Sequence, residues 1–410
     1  MTKVLRNIGT LVTCPQEANL DECGEISNAA LVWKNETILW TGPEDDLPQE
    51  YRKYSVESVA DANSLLVCPG FIDCHTHLAF GGWRADEFAL RCKGASYLEI
   101  AKAGGGILST VRDTRASTEE ELIEKCLGIL QQMASLGVTT VECKSGYGLT
   151  LEDELKLLRV YRELEKRSPV RIVSTLLAAH MIPPEFKNHR VDYIKLICKE
   201  IIPQVAEEKL ADFCDAFVEE TALTLDEARK VLSCGKNHGL RPKLHVDQLS
   251  SGGGAELAAE LQAVSADHLE FASDDGLKAM ADAGVVAVAL PLASLYTRQP
   301  PLDARKYFEK GITVAIATDF NPGSAPSFHI PMTISLACAM NRLTPTEALR
   351  GVTIHAAKAI DRAKNFGSLE PGKQADFVLL DVPSVNHLAY HVRPDVVRET
   401  YIAGERIFPV

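Results

Sequence analysis

The middle of the chain alternates apolar runs of strand length with segments of helical periodicity, and this alternation constrains the fold most strongly. Short apolar runs separated by helices are typical of βα units in a parallel sheet. We therefore predict a (β/α)8 barrel of the TIM type. A doubly wound sheet is the alternative, but no Gly-x-Gly-x-x-Gly turn follows the first run, so a dinucleotide site has no support. The runs are Phe71–Leu78, Val138–Lys144, Val170–Ala178, Ala211–Val218, Pro242–Val246, Ala266–Phe271, Val285–Leu290 and Thr313–Ala317.

The helical segments carry recognisable start signals. The segment from Glu120 to Leu136 repeats apolar residues on one face, as a helix packed on a sheet does. A hydroxyl residue followed three positions later by glutamate predicts a capping box at the start of a helix. The pairs of this kind are Ser117 with Glu120, Thr224 with Glu227 and Thr344 with Glu347.

Both ends of the chain have strand patterns instead. Leu31–Trp33 and Thr37–Trp40 flank turn residues and predict a hairpin. Near the other end, Asp376–Leu380 and Val397–Ile402 are also strand-like. These ends predict one small β domain that is discontinuous in sequence. We place it at residues 1–68 and 362–410, with the barrel at residues 69–361.

Charge and cysteine content exclude several classes of function. The formal net charge is −13, and an acidic chain lacks the dense basic patch that binds nucleic acid or an anionic membrane. We therefore expect a small-molecule substrate. The eleven cysteines are scattered, which favours free thiols in a reducing cytoplasm over a disulfide framework. The longest apolar run, Val285 to Leu295, is too short to span a bilayer, and the sequence predicts a soluble cytoplasmic protein.

Polar side chains stand at the ends of the predicted strands, where a barrel of this kind places its active site. His75 and His77 are two residues apart on the first strand, so both imidazoles point to the same side and can reach one metal ion. A lone histidine at a strand end is usually a hydrogen-bonded structural residue. Two imidazoles crowded on one side of a strand are better explained by a metal ion that both bind. The other candidates are His180 after strand three, His245 on strand five, His268 on strand six and Asp319 after strand eight.

Four of these residues, His75, His77, His245 and Asp319, predict a metal centre. Three imidazoles and a carboxylate suit zinc or iron(II). An ion held in this way leaves a position for water and can activate that water for hydrolysis. We therefore expect a hydrolase with one zinc or iron ion. Lys144, at the end of strand two, is interpreted as a buried structural lysine rather than a carboxylated lysine that bridges two metals.

Several sequence blocks follow a known family pattern. Pro69–His77 is similar to the first-strand motif of the amidohydrolase superfamily. Further blocks are His75–Arg84, Ala103–Arg112, Lys144–Leu149 and Thr318–Ser324. These resemble the imidazolonepropionase family, and the resemblance covers nearly the whole chain. It implies a barrel with a small β-sandwich domain, and ring-opening hydrolysis of 4-imidazolone-5-propanoate to N-formimino-L-glutamate in histidine degradation.

The resemblance also implies the binding residues. In that family the four ligands named above hold the zinc or iron. The implied substrate contacts are Arg84, Tyr97, Tyr147, His180, Gln248, Asn321, Gly323 and Ser324. The residue chemistry agrees, because a guanidinium such as that of Arg84 binds the carboxylate of a propionate with two parallel hydrogen bonds. The structural alternatives are a solvated charge at Arg84 and ordinary turns around Tyr147 and Asn321.

Gln248 departs from the pattern of some family members, which have glutamate three residues after the strand-five histidine. An amide neither accepts nor delivers a proton, so Gln248 can only position substrate or water. Proton transfer then falls to His268, Asp319 or both. We predict these three as the catalytic residues, and the sequence does not choose between His268 and Asp319 as the primary proton acceptor.

Two other functions remain open at this stage. A deaminase of the same superfamily, or another enzyme acting on a cyclic amide or heterocycle, is the first; the deaminases need a glutamate where Gln248 stands. The second is a non-enzymatic barrel relative, which would be expected to lose metal ligands, whereas this chain has all four. The family resemblance further suggests a homodimer.

Overall fold

A computed structural model describes residues 1–53, 59–94 and 104–409 of the chain. Within these residues the strands fall into two separate sheets. The strands are β1 Thr2–Val12, β2 Glu25–Lys34, β3 Thr37–Pro43, β4 Val59–Asp61, β5 Leu66–Pro69, β6 Phe71–Thr76, β7 Val138–Lys144, β8 Arg171–Ala179, β9 Phe213–Val218, β10 Arg241–Val246, β11 Ser265–His268, β12 Val286–Ala289, β13 Val314–Ile316, β14 Phe377–Leu380, β15 Val397–Ile402 and β16 Glu405–Phe408.

The second sheet is the predicted barrel. Its strands β6 to β13 lie side by side in chain order, and every neighbouring pair is parallel. The sheet closes where Thr76, the last residue of β6, forms a parallel bridge with Phe320 after β13. At this closure the Asp319 N–H donates to the carbonyl of His75 at 3.1 Å, and the His77 N–H donates to the carbonyl of Phe320 at 2.8 Å. Each predicted run overlaps one barrel strand, so the (β/α)8 prediction is confirmed.

Helices follow most barrel strands. They are α1 Ala85–Cys92, α2 Ile107–Ala116, α3 Glu119–Ser135, α4 Leu151–Arg167, α5 Arg190–Leu196, α6 Ile202–Glu207, α7 Leu225–Asn237, α8 Gly254–Leu261, α9 Asp274–Ala283, α10 Pro291–Thr297, α11 Ala304–Phe308, α12 Ile330–Asn341, α13 Pro345–Gly351, α14 Ile354–Ala359 and α15 Val385–Tyr390. A π-helical turn at Ile197–Ile201 joins α5 to α6. Among these helices, α1 and α2 contribute residues to the cavity described below.

Two of the predicted capping boxes are present as expected, at the starts of α7 and α13. The third was placed one residue too early, because the box at the start of α3 is formed by Thr118 with Glu121. Ser117 instead ends α2, where its hydroxyl donates to the carbonyl of Asp113 at 2.8 Å. Two adjacent hydroxyl residues thus serve two different helices.

The strands from the two chain ends form the other sheet, in the order β16-β15-β14-β5-β1-β2-β3, with β4 beside β1. The predicted hairpin is the antiparallel pair β2 and β3. The sheet is strongly curved. Strands β5 and β1 lie between β14 and β2, yet the ring of Trp33 in β2 lies 5.3 Å from that of Phe377 in β14. Gly70 alone separates β5 from the first barrel strand. The residue limits proposed for the two domains remain a prediction.

Each of the eleven cysteines is a free thiol, and most are buried, as the scattered spacing predicted. Among the described residues, no helix combines the length and the apolar character needed to cross a membrane.

Candidate metal centre and active site

The histidine pair faces Asp319 where the barrel closes. His75 lies in β6, His77 follows the end of that strand, and Asp319 follows β13. The Nε2 atoms of His75 and His77 lie 3.4 Å and 3.5 Å from Oδ1 of Asp319. Candidate ligand atoms of the three residues lie within 4.8 Å of one another, and all three residues are buried. Donors this close together can bind one metal ion.

His245, on β10, completes the predicted ligand set. Its ring centroid lies 4.4 Å from that of His75. Nδ1 of His75 is hydrogen-bonded to Asp267 at 2.7 Å, and Nδ1 of His245 to Asp215 at 3.1 Å. Their Nε2 atoms are buried and have no hydrogen-bond partner among the described residues. Because metal-bound histidines use one ring nitrogen for a carboxylate and the other for the metal, these residues fit a metal ion.

The protonation of these imidazoles also fits a ligand role. Burial, followed by the nearby positive charge of Lys144, holds the pKa of His75 and that of His245 well below the usual value. Burial and the neighbouring His180 do the same to the pKa of His77. The imidazoles are therefore neutral, and only a neutral imidazole offers a lone pair to a metal.

Backbone strain marks two of the site residues. His268, at the end of β11, has φ +76°, and Asp319 has φ +54°. Residues other than glycine rarely adopt this left-handed conformation, which costs about 1–3 kcal/mol and is often retained at active sites. In both residues the strained backbone lies where the strand ends and the side chain enters the site.

Lys144 supports the centre from below, in the interior of the barrel. Its Nζ lies 2.8 Å from Glu142, 2.8 Å from Asp215 and 3.4 Å from Asp267, and all four side chains are fully buried. The lysine therefore binds both carboxylates that hold the ligand histidines. An amine surrounded by three carboxylates stays protonated, which agrees with the structural interpretation of Lys144 and not with a carboxylated lysine.

A cavity of about 480 Å³ opens above the centre. Nearly all of the predicted catalytic and binding residues that the structure describes line this cavity. The predicted residues that line it are His77, Arg84, Tyr147, His180, His245, Gln248, His268, Asp319, Asn321, Gly323 and Ser324. His75 lies beneath this lining with no exposed side-chain surface. Tyr97 lies outside the described residues.

His180 and Tyr147 form an aromatic wall beside His77. The His180 ring stacks on that of His77 at 5.2 Å, and the Tyr147 ring lies 5.6 Å from it. Nδ1 of His180 is hydrogen-bonded to the carbonyl of Gly146 at 3.0 Å, which fixes the ring and leaves Nε2 free to contact a ligand. A side chain at residue 146 would collide with His180, and its φ of +101° also requires glycine.

Arg84 is held at the cavity by a local network. Its Nε donates to Glu87 at 2.9 Å, and the same carboxylate accepts from the Gly106 N–H at 3.0 Å and the Ser109 hydroxyl at 3.1 Å. A Cβ at residue 323 would lie 2.2 Å from Nη1 of Arg84, so Gly323 leaves the space that the guanidinium occupies. Arg84 is therefore a positioned cation and not a freely solvated surface charge.

The Asn321 side chain organises the loop after β13. Its Oδ1 accepts from the backbone N–H groups of Gly323 and Ser324, both at 2.8 Å, and its Nδ2 donates to the carbonyl of Asp319 at 2.6 Å. Both polar atoms of the Asn321 amide are therefore already hydrogen-bonded to other groups of the loop. The Ser324 hydroxyl lies 3.5 Å from Oδ2 of Asp319 and lines the cavity, so it is better placed than Asn321 to meet a ligand.

Gln248 lies on the rim of the cavity, in the loop after β10. Glu219 fixes this loop, since its carboxylate accepts from the Leu249 N–H at 2.7 Å and the Ser250 hydroxyl at 2.8 Å. Asp247 accepts from three backbone N–H groups at the start of α8. Glu219 and Asp247 are thus both occupied in holding the loop. Gln248 is the polar residue of this loop that lines the cavity.

Sequence reasoning missed several functional residues. It did not select Asp215 and Asp267, which hold the ligand histidines, or Arg91, which lines the cavity and donates to the Gly323 carbonyl at 3.0 Å. The sequence did contain a signal for the two aspartates. Each is a charged residue inside an apolar strand run, and such a residue is expected to point into the barrel, away from the helices packed outside. Other cavity-lining residues that were not predicted are Glu87, Ile107, Phe217, Leu249, Thr297 and Gln299.

The barrel and a histidine–aspartate cluster that could hold a metal ion are typical of one class of hydrolases, and the chain belongs to the amidohydrolase family, whose sequence profile matches residues 66–407. Within it, the chain belongs to the imidazolonepropionases. It is 45% identical over 389 residues to the imidazolonepropionase of Geobacillus kaustophilus, an alignment covering 95% of this chain and 92% of that protein. Identity to the enzyme of Fusobacterium nucleatum is 44%, over 99% of this chain and 98% of that protein.

Solved structures share the fold at much lower sequence identity. The guanine deaminase of E. coli superposes with a TM-score of 0.74 and 14% identity, over 100% of this chain and 99% of that protein. This likeness concerns the fold alone. The family membership makes the chain an enzyme and sets aside the non-enzymatic alternative.

Proposed function

We propose that this enzyme hydrolyses the ring amide of 4-imidazolone-5-propanoate and releases N-formimino-L-glutamate, a step of histidine degradation. The observation that carries the proposal is one cavity whose lining includes both the positioned cation Arg84 and the ligand residues His77, His245 and Asp319. A substrate with an anionic side chain and a cyclic amide can meet both at once. The identity of about 45% to imidazolonepropionases supports the same reaction.

The metal is proposed to be a single zinc or iron ion bound by His75, His77, His245 and Asp319. Such an ion lowers the pKa of water towards neutrality and polarises the amide carbonyl. Metal analysis of the purified enzyme distinguishes zinc from iron and gives the number of ions per chain. Two ions per chain would contradict the single-metal proposal.

The remaining residues bind and orient the substrate. Arg84 binds the propionate, while Tyr147 and His180 contact the ring and Ser324 and the backbone around Gly323 complete the pocket. Tyr97 is retained as a further candidate contact. Gln248 holds substrate or water through its amide, because it cannot exchange a proton. His268 is proposed to protonate the leaving ring nitrogen, and Asp319 is the other candidate for taking a proton during attack.

Loss of 4-imidazolone-5-propanoate absorbance with the purified, metal-loaded enzyme tests the reaction. Ammonia release from guanine and cytosine serves as the control for a deaminase, because ring opening of the imidazolone gives formiminoglutamate and no free ammonia. Ammonia release without imidazolone turnover would replace this proposal with a deaminase function.

Arg84→Lys should raise KM by about 10-fold, because an ammonium cannot form the two parallel hydrogen bonds that a guanidinium makes with a carboxylate. Steady-state kinetics with 4-imidazolone-5-propanoate provides the measurement. Arg159→Lys is the matched control, since Arg159 pairs with Glu208 on the outer surface and should leave KM unchanged. An unchanged KM in the Arg84 variant would remove Arg84 from the binding site.

We also propose a homodimer, on the basis of the family resemblance. Light scattering coupled to size-exclusion chromatography gives the molar mass in solution, and a mass of one chain would contradict the dimer.

A further inference from the structure

A second buried acid lies beside His268 and is not used in the reaction described above. Glu270 follows β11, two residues after His268, and its side chain is 3% exposed. One carboxylate oxygen, Oε2, lies 3.9 Å from Nδ1 of His268. Both atoms are buried and lack a hydrogen-bond partner among the described residues. A small side-chain movement would bring these two unpaired atoms within hydrogen-bond distance of each other.

The other contacts of Glu270 leave Oε2 available for this role. Ser294, in α10, donates its hydroxyl to Oε1 at 3.3 Å and so fixes the orientation of the carboxyl group. The charge of another acid, Glu219, acts on the carboxyl group of Glu270 and favours its neutral form, because it raises the pKa. No lysine or arginine among the described residues forms an ion pair with Glu270, so a cation does not compete with His268 for it.

We propose that Glu270 is the positioning residue of His268: its carboxyl group donates a hydrogen bond from Oε2 to Nδ1, which places the ring proton on Nε2, facing the cavity. This rests on the proposed function and extends it. When Nε2 delivers its proton to the leaving ring nitrogen, Nδ1 takes the proton of Glu270. His268 is then neutral again, and Glu270 is left as a carboxylate that is reprotonated from water after the product leaves.

The protonation of the two groups agrees with this arrangement. Burial, opposed by only a few hydrogen bonds, raises the pKa of Glu270 to about 8, so the carboxyl group carries a proton near neutral pH. Nδ1 of His268 is buried and has no hydrogen-bond partner among the described residues, so it is open to accept this hydrogen bond. Gln248, on the rim, cannot provide a proton in this way, whereas Glu270 reaches His268 from the buried side.

Two variants separate positioning from proton supply. Glu270→Gln keeps a donor for Nδ1 but has no acidic proton, and should lower kcat by about 10-fold. Glu270→Leu loses both functions and should lower kcat by about 100-fold. KM should stay within about twofold in both, because Glu270 does not line the cavity. Metal content and the circular dichroism spectrum, measured for each variant, confirm that the site is loaded and folded.

The His268→Ala background tests whether Glu270 acts through His268. Adding Glu270→Gln to His268→Ala should cause no further loss of kcat, whereas a residue that only supports the fold would cause a similar loss in both backgrounds. A normal kcat in Glu270→Gln and Glu270→Leu, or a further 10-fold loss in the double variant, would overturn the proposal.

A measurement without substrate keeps this proposal separate from the proposed reaction. Nitrogen NMR of the zinc-loaded enzyme with labelled histidine reports which ring nitrogen of His268 carries the proton, with the signal assigned by its absence in His268→Ala. We expect the Nε2–H form in the wild type and in Glu270→Gln, and a changed form or a mixture in Glu270→Leu. The same His268 signal in all three proteins would overturn the role of Glu270, even if the imidazolone reaction is confirmed.

Discussion

Replacing His268 with alanine is expected to lower kcat by 10²-fold to 10⁴-fold, the range typical for a residue that transfers a proton in the transition state. His268 lines the cavity, and its left-handed backbone conformation aims the ring at the site from the end of β11. Gln248 cannot take over its role, since an amide does not exchange protons. Steady-state kinetics with the metal-loaded variant measures the effect.

His238→Ala is the matched control for this experiment. His238 is an exposed residue that ends α7, where its Nδ1 is hydrogen-bonded to the carbonyl of Cys234 at 2.9 Å, and its loss should leave kcat unchanged. The metal content of His268→Ala must equal that of the wild type, so that a lost proton donor is not confused with a lost metal. A near-normal kcat would remove His268 from the mechanism and leave Asp319 as the proton-transferring residue.

The second large effect is expected from Lys144→Met. This substitution leaves Glu142, Asp215 and Asp267 buried without the cation that all three contact. Breaking a buried ion pair by removing one partner costs about 3–5 kcal/mol, because the remaining charge stays buried and uncompensated. We expect a loss of this size in the free energy of unfolding, measured with urea. Metal affinity should fall by about 10-fold to 100-fold, since two of these carboxylates orient ligand histidines.

Lys166→Met provides the comparison. Lys166 pairs with Glu163 on the exposed face of α4, and exposed pairs of this kind contribute little to stability. This variant should unfold at the same urea concentration as the wild type. If Lys144→Met were equally harmless, Lys144 would not be the group that holds these carboxylates, and the buried Lys243, whose Nζ lies 3.8 Å from Glu142, would be the cation that compensates them.

The barrel could be predicted because its signal is local. A run such as Val138–Lys144 is apolar over the length of one strand, and the observed strand has those limits. Strand ends were less well predicted, as at β11, which stops at His268 although the apolar run continues to Phe271. The hydrogen-bonding partner strand decides where a strand ends, and a single sequence does not reveal that partner.

The metal ligands could be predicted for a similar reason. His75 and His77 lie on one strand, where alternation alone places both side chains on the same side. Asp215 and Asp267 could not be assigned to their histidines in this way. The contact of Asp215 with His245 joins the neighbouring strands β9 and β10 and depends on their register. The contact of Asp267 with His75 crosses the barrel interior from β11 to β6 and depends on how the barrel closes. Glu270 was missed because its position follows a strand end that the sequence placed too late.

The junction between the first and last barrel strands, β6 and β13, is where a bound metal ion would stabilise the sheet most. Between β6 and β13 the sheet is joined by one isolated bridge and a few backbone hydrogen bonds, a sparser ladder than that between β9 and β10. His75 and His77 stand on one side of this seam and Asp319 on the other. An ion bound to all three would therefore hold the first and last strands together. Amide hydrogen exchange in β6 and β13 should accelerate when a chelator removes the ion, while exchange in β9 changes far less.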